Sequence, residues 1–235
     1  MGKQLIQQRR GRGSIFRAPS FNYKGDPKLG RYYSEPKQGT ITDLVHCAGH
    51  SAPLARIDFE GESVLMIAPE GIRIGDTIVS GPTSAVATGN IMALKDIPEG
   101  TAIFNVEAQP GDGGKMARAG GTFATLLQKA GTKVTVQLPS KKTRTFDEKC
   151  RAAIGRIAGG GRLEKPRTKA GVSYYAKKAR RKNFPNVRGL AMNAVAHPYG
   201  KKRSSKKGRV TIAPRNAPPG RKVGKIRPRR TGKKR

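Results

Sequence analysis

The run Leu54-Ala55-Arg56-Ile57-Asp58-Phe59-Glu60-Gly61-Glu62-Ser63-Val64-Leu65-Met66-Ile67 decides the fold class. Ala55, Ile57 and Phe59 alternate with Arg56 and Asp58, which is the period of a half-buried strand. A second strand-like run occupies 63–67, and Glu60-Gly61 between the two is tight-turn chemistry. Working outward, residues 40–45 (TITDLV) and 76–80 (DTIVS) carry the same signal, punctuated by Pro69-Glu70-Gly71 and Gly81-Pro82. These elements predict a small β-barrel.

A second set of short strands is expected at 102–107, 123–128, 133–138 and 144–146, with Pro98-Glu99-Gly100, Ala130-Gly131 and Pro139-Ser140 as breaks. Segment 122–129 fits a strand or a helix. Long helices with a 3.6-residue period do not separate the strands, so a barrel or sandwich is favoured over a doubly wound sheet. Each set is near the lower size limit for an independent domain, which predicts that the two pack together. Past Ile157 the sequence changes at Gly159-Gly160-Gly161 to dense charge with few apolar residues. The helical candidate beyond that point is 172–182, with Lys177, Lys178 and Arg181 expected on one face.

Charge is segregated along the chain. Of the net +33, residues 1–34 contribute +7, residues 35–160 only +1, and residues 161–235 a further +25 with Glu164 as the single acid. A near-neutral centre with two cationic ends calls for a polyanionic partner. Phosphate-seeking clusters stand at Arg9-Arg10-Gly11-Arg12-Gly13, Lys177-Lys178-Ala179-Arg180-Arg181-Lys182, Lys201-Lys202-Arg203 and Arg229-Arg230. Their uniform sign sets them apart from the alternating charges of a solvated helix face. Nine of the 13 aromatic residues also fall near the ends: Phe16, Phe21, Tyr23, Tyr32, Tyr33, Tyr174, Tyr175, Phe184 and Tyr199. Rings able to stack on unpaired bases favour RNA over uniform duplex DNA.

Other chemistries find less support. His46-Cys47-Ala48-Gly49-His50 superficially resembles a metal or nucleophile site. On a strand, however, His46 and Cys47 point to opposite faces, and the chain offers only three His and two Cys. Cys47 is expected to face the core at a strand end, and no metal site or Cys-His catalytic pair is predicted. Gly111-Asp112-Gly113-Gly114-Lys115-Met116 lacks the Ser or Thr of a nucleotide-hydrolysing loop at Met116, and is read as a loop that RNA backbone approaches closely. The two cysteines, Cys47 and Cys150, indicate a reducing, intracellular setting. Apolar runs fall far short of the ~18 residues of a membrane span, and the myristoylation pattern fails at Ile6.

Several motifs in fixed order resemble one family. They are Gln8-Arg9-Arg10-Gly11-Arg12-Gly13-Ser14, residues 106–121 around the glycine loop, Cys150-Arg151-Ala152-Ala153-Ile154-Gly155, and Val187-Arg188-Gly189-Leu190-Ala191-Met192-Asn193 leading to His197-Pro198. Together they resemble the universal large-subunit ribosomal proteins of the L-two family over almost the whole chain. The N-terminal arm and Arg229-Arg230-Thr231-Gly232 are similar to its archaeal and eukaryotic branch, and the length is similar to its archaeal members. The resemblance implies a mainly β fold, with a basic extension over 1–34, an OB-like barrel over 35–84, an SH3-like barrel over 85–160 and a basic, largely non-globular extension over 161–235. It further implies primary binding to large-subunit rRNA near the peptidyl-transferase centre, with roles in subunit association, tRNA binding and peptide-bond formation. The expected partners are rRNA, neighbouring ribosomal proteins and the small subunit, in cytoplasmic ribosomes. Neither a membrane, a homo-oligomer nor a cofactor other than rRNA-associated cations is expected.

The rRNA-binding residues this resemblance and the charge pattern select are Arg9, Arg10, Arg12, Lys115, Arg118, Lys177, Lys178, Arg180, Arg181, Lys182, Arg188, Asn193, His197, Lys201, Lys202, Arg203, Arg229 and Arg230. The family's histidine, whose proposed catalytic role is disputed, maps onto His197. Family members usually carry Pro after the Asn, an acid before the His and a Gly run after it; here stand Ala194, Ala196 and Lys201-Lys202. Without the carboxylate an imidazole base lacks its orienting partner, so a contact to RNA is expected of His197 and no enzymatic activity is predicted. The alternatives are a DNA-compacting protein and an enzyme built on His46, Cys47 or His197.

Overall fold

The computed structural model describes residues 2–82, 85–200 and 212–227, so the clusters Lys201-Lys202-Arg203 and Arg229-Arg230 lie outside the described residues. Two compact units emerge, one of residues 20–168 and one of residues 1–19 with 169–235.

The first unit is built on ten strands: β1 (Lys37–Val45), β2 (Leu54–Phe59), β3 (Glu62–Ile67), β4 (Thr77–Ser80), β5 (Ile91–Ala93), β6 (Ala102–Phe104), β7 (Ala124–Ala130), β8 (Lys133–Gln137), β9 (Thr143–Asp147) and β10 (Arg151–Ile154). They join in the order β3-β2-β1-β4-β5-β10-β6-β7-β8-β9. The architecture is therefore mainly β, with the strand content of an OB-like barrel followed by an SH3-like barrel. The founding hairpin is as expected. Phe59 pairs with Glu62 across a two-residue turn in which Glu60 (φ 49°) and Gly61 (φ 91°) both adopt positive φ. Such turns match the right-handed twist of the strands they join. Segment 122–129, open between helix and strand on sequence grounds, forms most of β7, antiparallel to both β6 and β8.

Strands β5 and β10 are absent from the sequence-based expectation, and their environment explains why. All four residues of β10 are buried. Ala153 faces a first apolar cluster with Ile57, Phe59, Met66, Ile78 and Ile91, whereas Ala152 and Ile154 face a second with Leu94, Ile103, Leu126, Val136 and Phe146. In β5, Ile91 joins the first cluster and Met92 the second. A strand whose two faces serve two cores has no polar face, so the alternation that marks an ordinary strand disappears. The two halves thus share a wall, joined by the parallel contact of Ser80 in β4 with Ile91 in β5. Each fully buried side chain of Phe or Ile size contributes about 1.5–3 kcal/mol.

The segment before β1 is fastened to this unit. Leu29 is fully buried in the first cluster. Its N–H donates to the Gly113 carbonyl at 3.2 Å, and that of Lys28 to Leu65 at 2.8 Å. The guanidinium of Arg151 donates to the carbonyls of Arg31 (2.7 Å) and Gly30 (3.1 Å). It also pairs with Glu107 Oε1 at 2.8 Å, both side chains being buried.

In the second unit the helix α1 spans Ala170–Ala179, earlier than the 172–182 expected. Arg180 leaves helical geometry and Arg181 turns to φ 51°. Lys177 and Lys178 occupy the last turn, where the helix dipole favours cations, but Arg181 lies beyond the end and does not share their face as predicted. The remaining described elements are single 3-10 turns at Ile6–Arg9, Ser14–Phe16 and Gly189–Ala191, and a short parallel pair, β11 (Ile212–Ala213) with β12 (Lys225–Ile226). The terminal segments meet within this unit. Lys3 N–H donates to Val195 O at 2.7 Å, and Tyr199 Oη donates to Val223 O at 3.1 Å.

Candidate nucleic-acid interface

The second unit carries five Lys and Arg in residues 1–19 and 23 in residues 169–235, with no Asp or Glu in either segment. Its 28 cations therefore have no acidic side chain of their own unit to pair with. Among the described residues, several of them lie against carbonyls and aromatic rings. Arg9 lies in the first 3-10 turn, and its carbonyl accepts from Gly13 and Arg12 N–H, which coils the Arg9–Arg12 cluster into one exposed turn. The Arg10 guanidinium sits 5.9 Å from the Phe16 ring centre, and Arg181 reaches the Ser14 carbonyl at 3.5 Å. The basic turn at the N-terminus is thereby brought beside the cationic end of α1, two clusters that lie far apart in sequence.

At that helix end Lys177 Nζ lies 4.1 Å from the Phe184 ring centre and Lys178 5.9 Å from that of Tyr174. Arg180 is half-buried and Lys182 exposed. Arg188, exposed, precedes the third 3-10 turn, and Asn193 is exposed while its carbonyl accepts from Ala196 and His197 N–H. The structure separates the aromatic residues into two groups. Phe21, Tyr32 and Tyr175 are 75, 65 and 69 % exposed, Tyr175 also meeting the Tyr174 ring edge-on at 5.3 Å. Tyr23 and Tyr33, also expected to stack on bases, instead pack on the first core cluster. The Tyr23 ring lies on His50, and burial together with its hydrogen bond to Asp26 pushes the phenol up to about 12. Tyr33 leans on Phe59, and burial and the neighbouring Glu62 likewise raise its pKa.

His197 is held by its neighbours. Its Nδ1 accepts from Tyr199 N–H at 3.1 Å, which places the proton of the neutral ring on Nε2. A Cβ on Gly189 would stand 2.3 Å from the imidazole, so only glycine leaves room for the ring there. Burial lowers the His197 pKa below the ordinary histidine value. With no acid in the unit, no carboxylate of its own elements orients the imidazole.

In the β unit, Lys115 and Arg118 flank the glycine loop with different fates. Lys115 is exposed. Arg118 donates to Pro27 O (2.6 Å) and Gly114 O (3.2 Å), and burial lowers its pKa. The loop's amides point inward. Gly111 and Gly113 N–H donate to Glu107, and Gly114 N–H to Asp112 Oδ1. What the loop offers outward is therefore Lys115, while its glycine amides are taken by the chain's own carboxylates and those of Asp112, Lys115 and Met116 by backbone carbonyls. Arg151 and Glu107, whose partnership organises this region, carry no local sequence signal because 44 residues separate them. Cys47 is buried as expected, but the histidine beside it is His50, with Nδ1 3.1 Å from Sγ, and not His46. Cys150 is also buried, which pushes its thiol up to about 11.

Residues 87–221 match the family model described as Ribosomal Proteins L2, C-terminal domain. The chain belongs to the ribosomal protein L2 family. Among its L2 relatives are proteins described as large ribosomal subunit protein uL2. That of Methanocaldococcus jannaschii is 47 % identical over 99 % of both chains. That of Archaeoglobus fulgidus is 46 % identical over the full length of both. That of Haloarcula marismortui is 47 % identical over 99 % of this chain and 98 % of its own. These L2 relatives are archaeal, as the length leads one to expect.

Proposed function

We propose that this chain is a structural constituent of the large subunit of cytoplasmic ribosomes, where it is held by rRNA and flanked by other ribosomal proteins. In this reading it is a primary rRNA binder, not an enzyme, that stabilises RNA folding near the peptidyl-transferase centre. By the same reading it supports subunit association, tRNA binding and peptide-bond formation, and it faces the small subunit across the interface. One observation carries the proposal: a unit with 28 Lys and Arg and no Asp or Glu. Such a unit repels itself until it neutralises the phosphates of an external polyanion, whose condensed counterions are released to solution. Exposed rings beside these cations suit unpaired or folded RNA better than a uniform duplex.

The contact residues of this reading are Arg9, Arg10 and Arg12 with Lys177, Lys178, Arg180, Arg181 and Lys182 as one patch, Arg188, Asn193 and His197 as a second, and Lys115 and Arg118 on the β unit. Lys201, Lys202, Arg203, Arg229 and Arg230 extend the set beyond the described residues. His197 serves as a neutral RNA contact, because nothing in its unit prepares it as a base. The segments 35–84 and 85–160 act as the anchored body; of the extensions 1–34 and 161–235, residues 20–34 are fastened to that body and the remainder is the RNA-embedded part. Sedimentation of a lysate through sucrose at moderate and then high salt tests this. The protein is expected to remain with the large subunit through the high-salt wash; a free or DNA-associated protein would refute the proposal.

A further inference from the structure

A cleft of about 330 Å³ opens on the β unit between the start of β7 and the turn that joins β8 to β9. Its floor is Phe123, half-buried, with Leu138 and Pro139 beside it. The exposed guanidinium of Arg156 covers the Phe123 ring at 4.5 Å from its centre. The turn is fixed by Leu138 N–H to Lys142 O (2.9 Å) and Lys141 N–H to Leu138 O (2.8 Å), which sets Lys141 at the lip. Gln137 also lines the cleft, and among the described residues its carboxamide has no partner. An aromatic floor carrying a guanidinium, a free amide at the side and a lysine at the rim form a coherent set. Each supplies one part of a nucleotide's needs: a stacking face, a donor-acceptor pair for a base edge, and charge for the phosphate.

We infer that this cleft receives a single unpaired base of RNA, stacked on the Phe123–Arg156 pair, read by Gln137 and held at its phosphate by Lys141. The inference rests on the rRNA-binding reading and adds to it a base contact on the β unit, remote in sequence from the basic extensions. The cation over Phe123 makes RNA a better occupant than an apolar side chain of a neighbouring protein.

Ultraviolet cross-linking of the full chain in large subunits, followed by trypsin and mass spectrometry, tests it directly. Cleavage after Arg118 and Lys129 isolates residues 119–129, and the expected result is a nucleotide adduct at Phe123. With purified protein and large-subunit rRNA, Phe123→Leu and Gln137→Ala are expected to weaken binding about 5- to 100-fold, the range for loss of one stacked base. Their melting should stay like that of the unmodified chain, and Gln137→Ala, a surface change, guards against misfolding of the first variant. Wild-type affinity in both variants, or an adduct to a protein neighbour in place of a nucleotide, overturns the inference while leaving rRNA binding through the extensions intact. Failure of the unmodified chain to bind rRNA would overturn both.

Discussion

Replacing Arg151 by Met removes the guanidinium that ties the N-terminal segment to the β unit, with little change in side-chain volume. Four donor contacts vanish: 2.8 and 3.3 Å to Glu107 Oε1, 2.7 Å to Arg31 O and 3.1 Å to Gly30 O. The Glu107 carboxyl group stays buried without its guanidinium partner, contacted only by the N–H groups of residues 111, 113 and 151. Stranding one partner of a buried pair costs about 3–5 kcal/mol. At ~2–4 °C per kcal/mol for a unit of this size, the melting temperature should fall by roughly 6–20 °C. Urea unfolding followed by circular dichroism measures the loss, and amide exchange localises it, with Leu29, Gly111 and Gly113 N–H losing protection first. Glu107→Gln combined with Arg151→Met should recover part of the loss, because the neutral amide removes the stranded charge. A change below ~1 kcal/mol in Arg151→Met alone would refute the view that this pair anchors the segment.

Changing Lys177, Lys178, Arg180, Arg181 and Lys182 to Gln should reduce rRNA affinity and flatten the salt dependence, the logarithmic slope falling by about 3.5–4.5 if all five meet phosphate. An unchanged slope in a salt titration would remove this patch from the interface. The depressed His197 pKa means the unfolded chain takes up its proton at higher pH than the folded one. Its contribution to stability is therefore present above the unfolded value of about 6.5 and is lost as pH falls through the folded value. His197→Gln should abolish that part of the pH dependence in thermal melts between about pH 7 and pH 5. Gly114 has φ 93° and a Cβ there would meet Asn105 at 2.4–2.7 Å. Gly114→Ala should therefore destabilise the β unit by at least ~2 kcal/mol, measured by urea unfolding.

The legible parts of this fold are those where one face of an element is wet. Residues 54–67 showed their hairpin because Arg56 and Asp58 must reach solvent while Ile57 and Phe59 must not. Strands β5 and β10 were silent because Ile91 and Met92, and Ala153 and Ile154, divide between two cores. The basic clusters were visible as composition, since charge without countercharge requires no knowledge of topology. Their grouping was not, because Arg10 and Arg181 become neighbours only through tertiary structure. Tyr23 and Tyr33 were misjudged for the opposite reason. They precede the first strand in sequence, yet the clamp on Gly30 and Arg31 carries that segment back onto the core. Phe123 and Arg156 likewise meet only once the segment after β10 runs beside the one before β7, where Ile157 N–H donates to Thr122 O at 3.2 Å.

The clamp also orders events during synthesis. Arg151 grips a carbonyl 120 residues earlier in the chain. At elongation rates of ~5–20 residues per second, roughly 6–24 s separate the two partners' appearance. Through that interval Leu29 lacks its lock, and the first apolar cluster still awaits Ala153 and Ile157. The nascent chain therefore cannot complete even its N-terminal half until about two-thirds of it has been made. Release before residue 151 would yield a fragment with a cationic leader, an open core and no means of closing it.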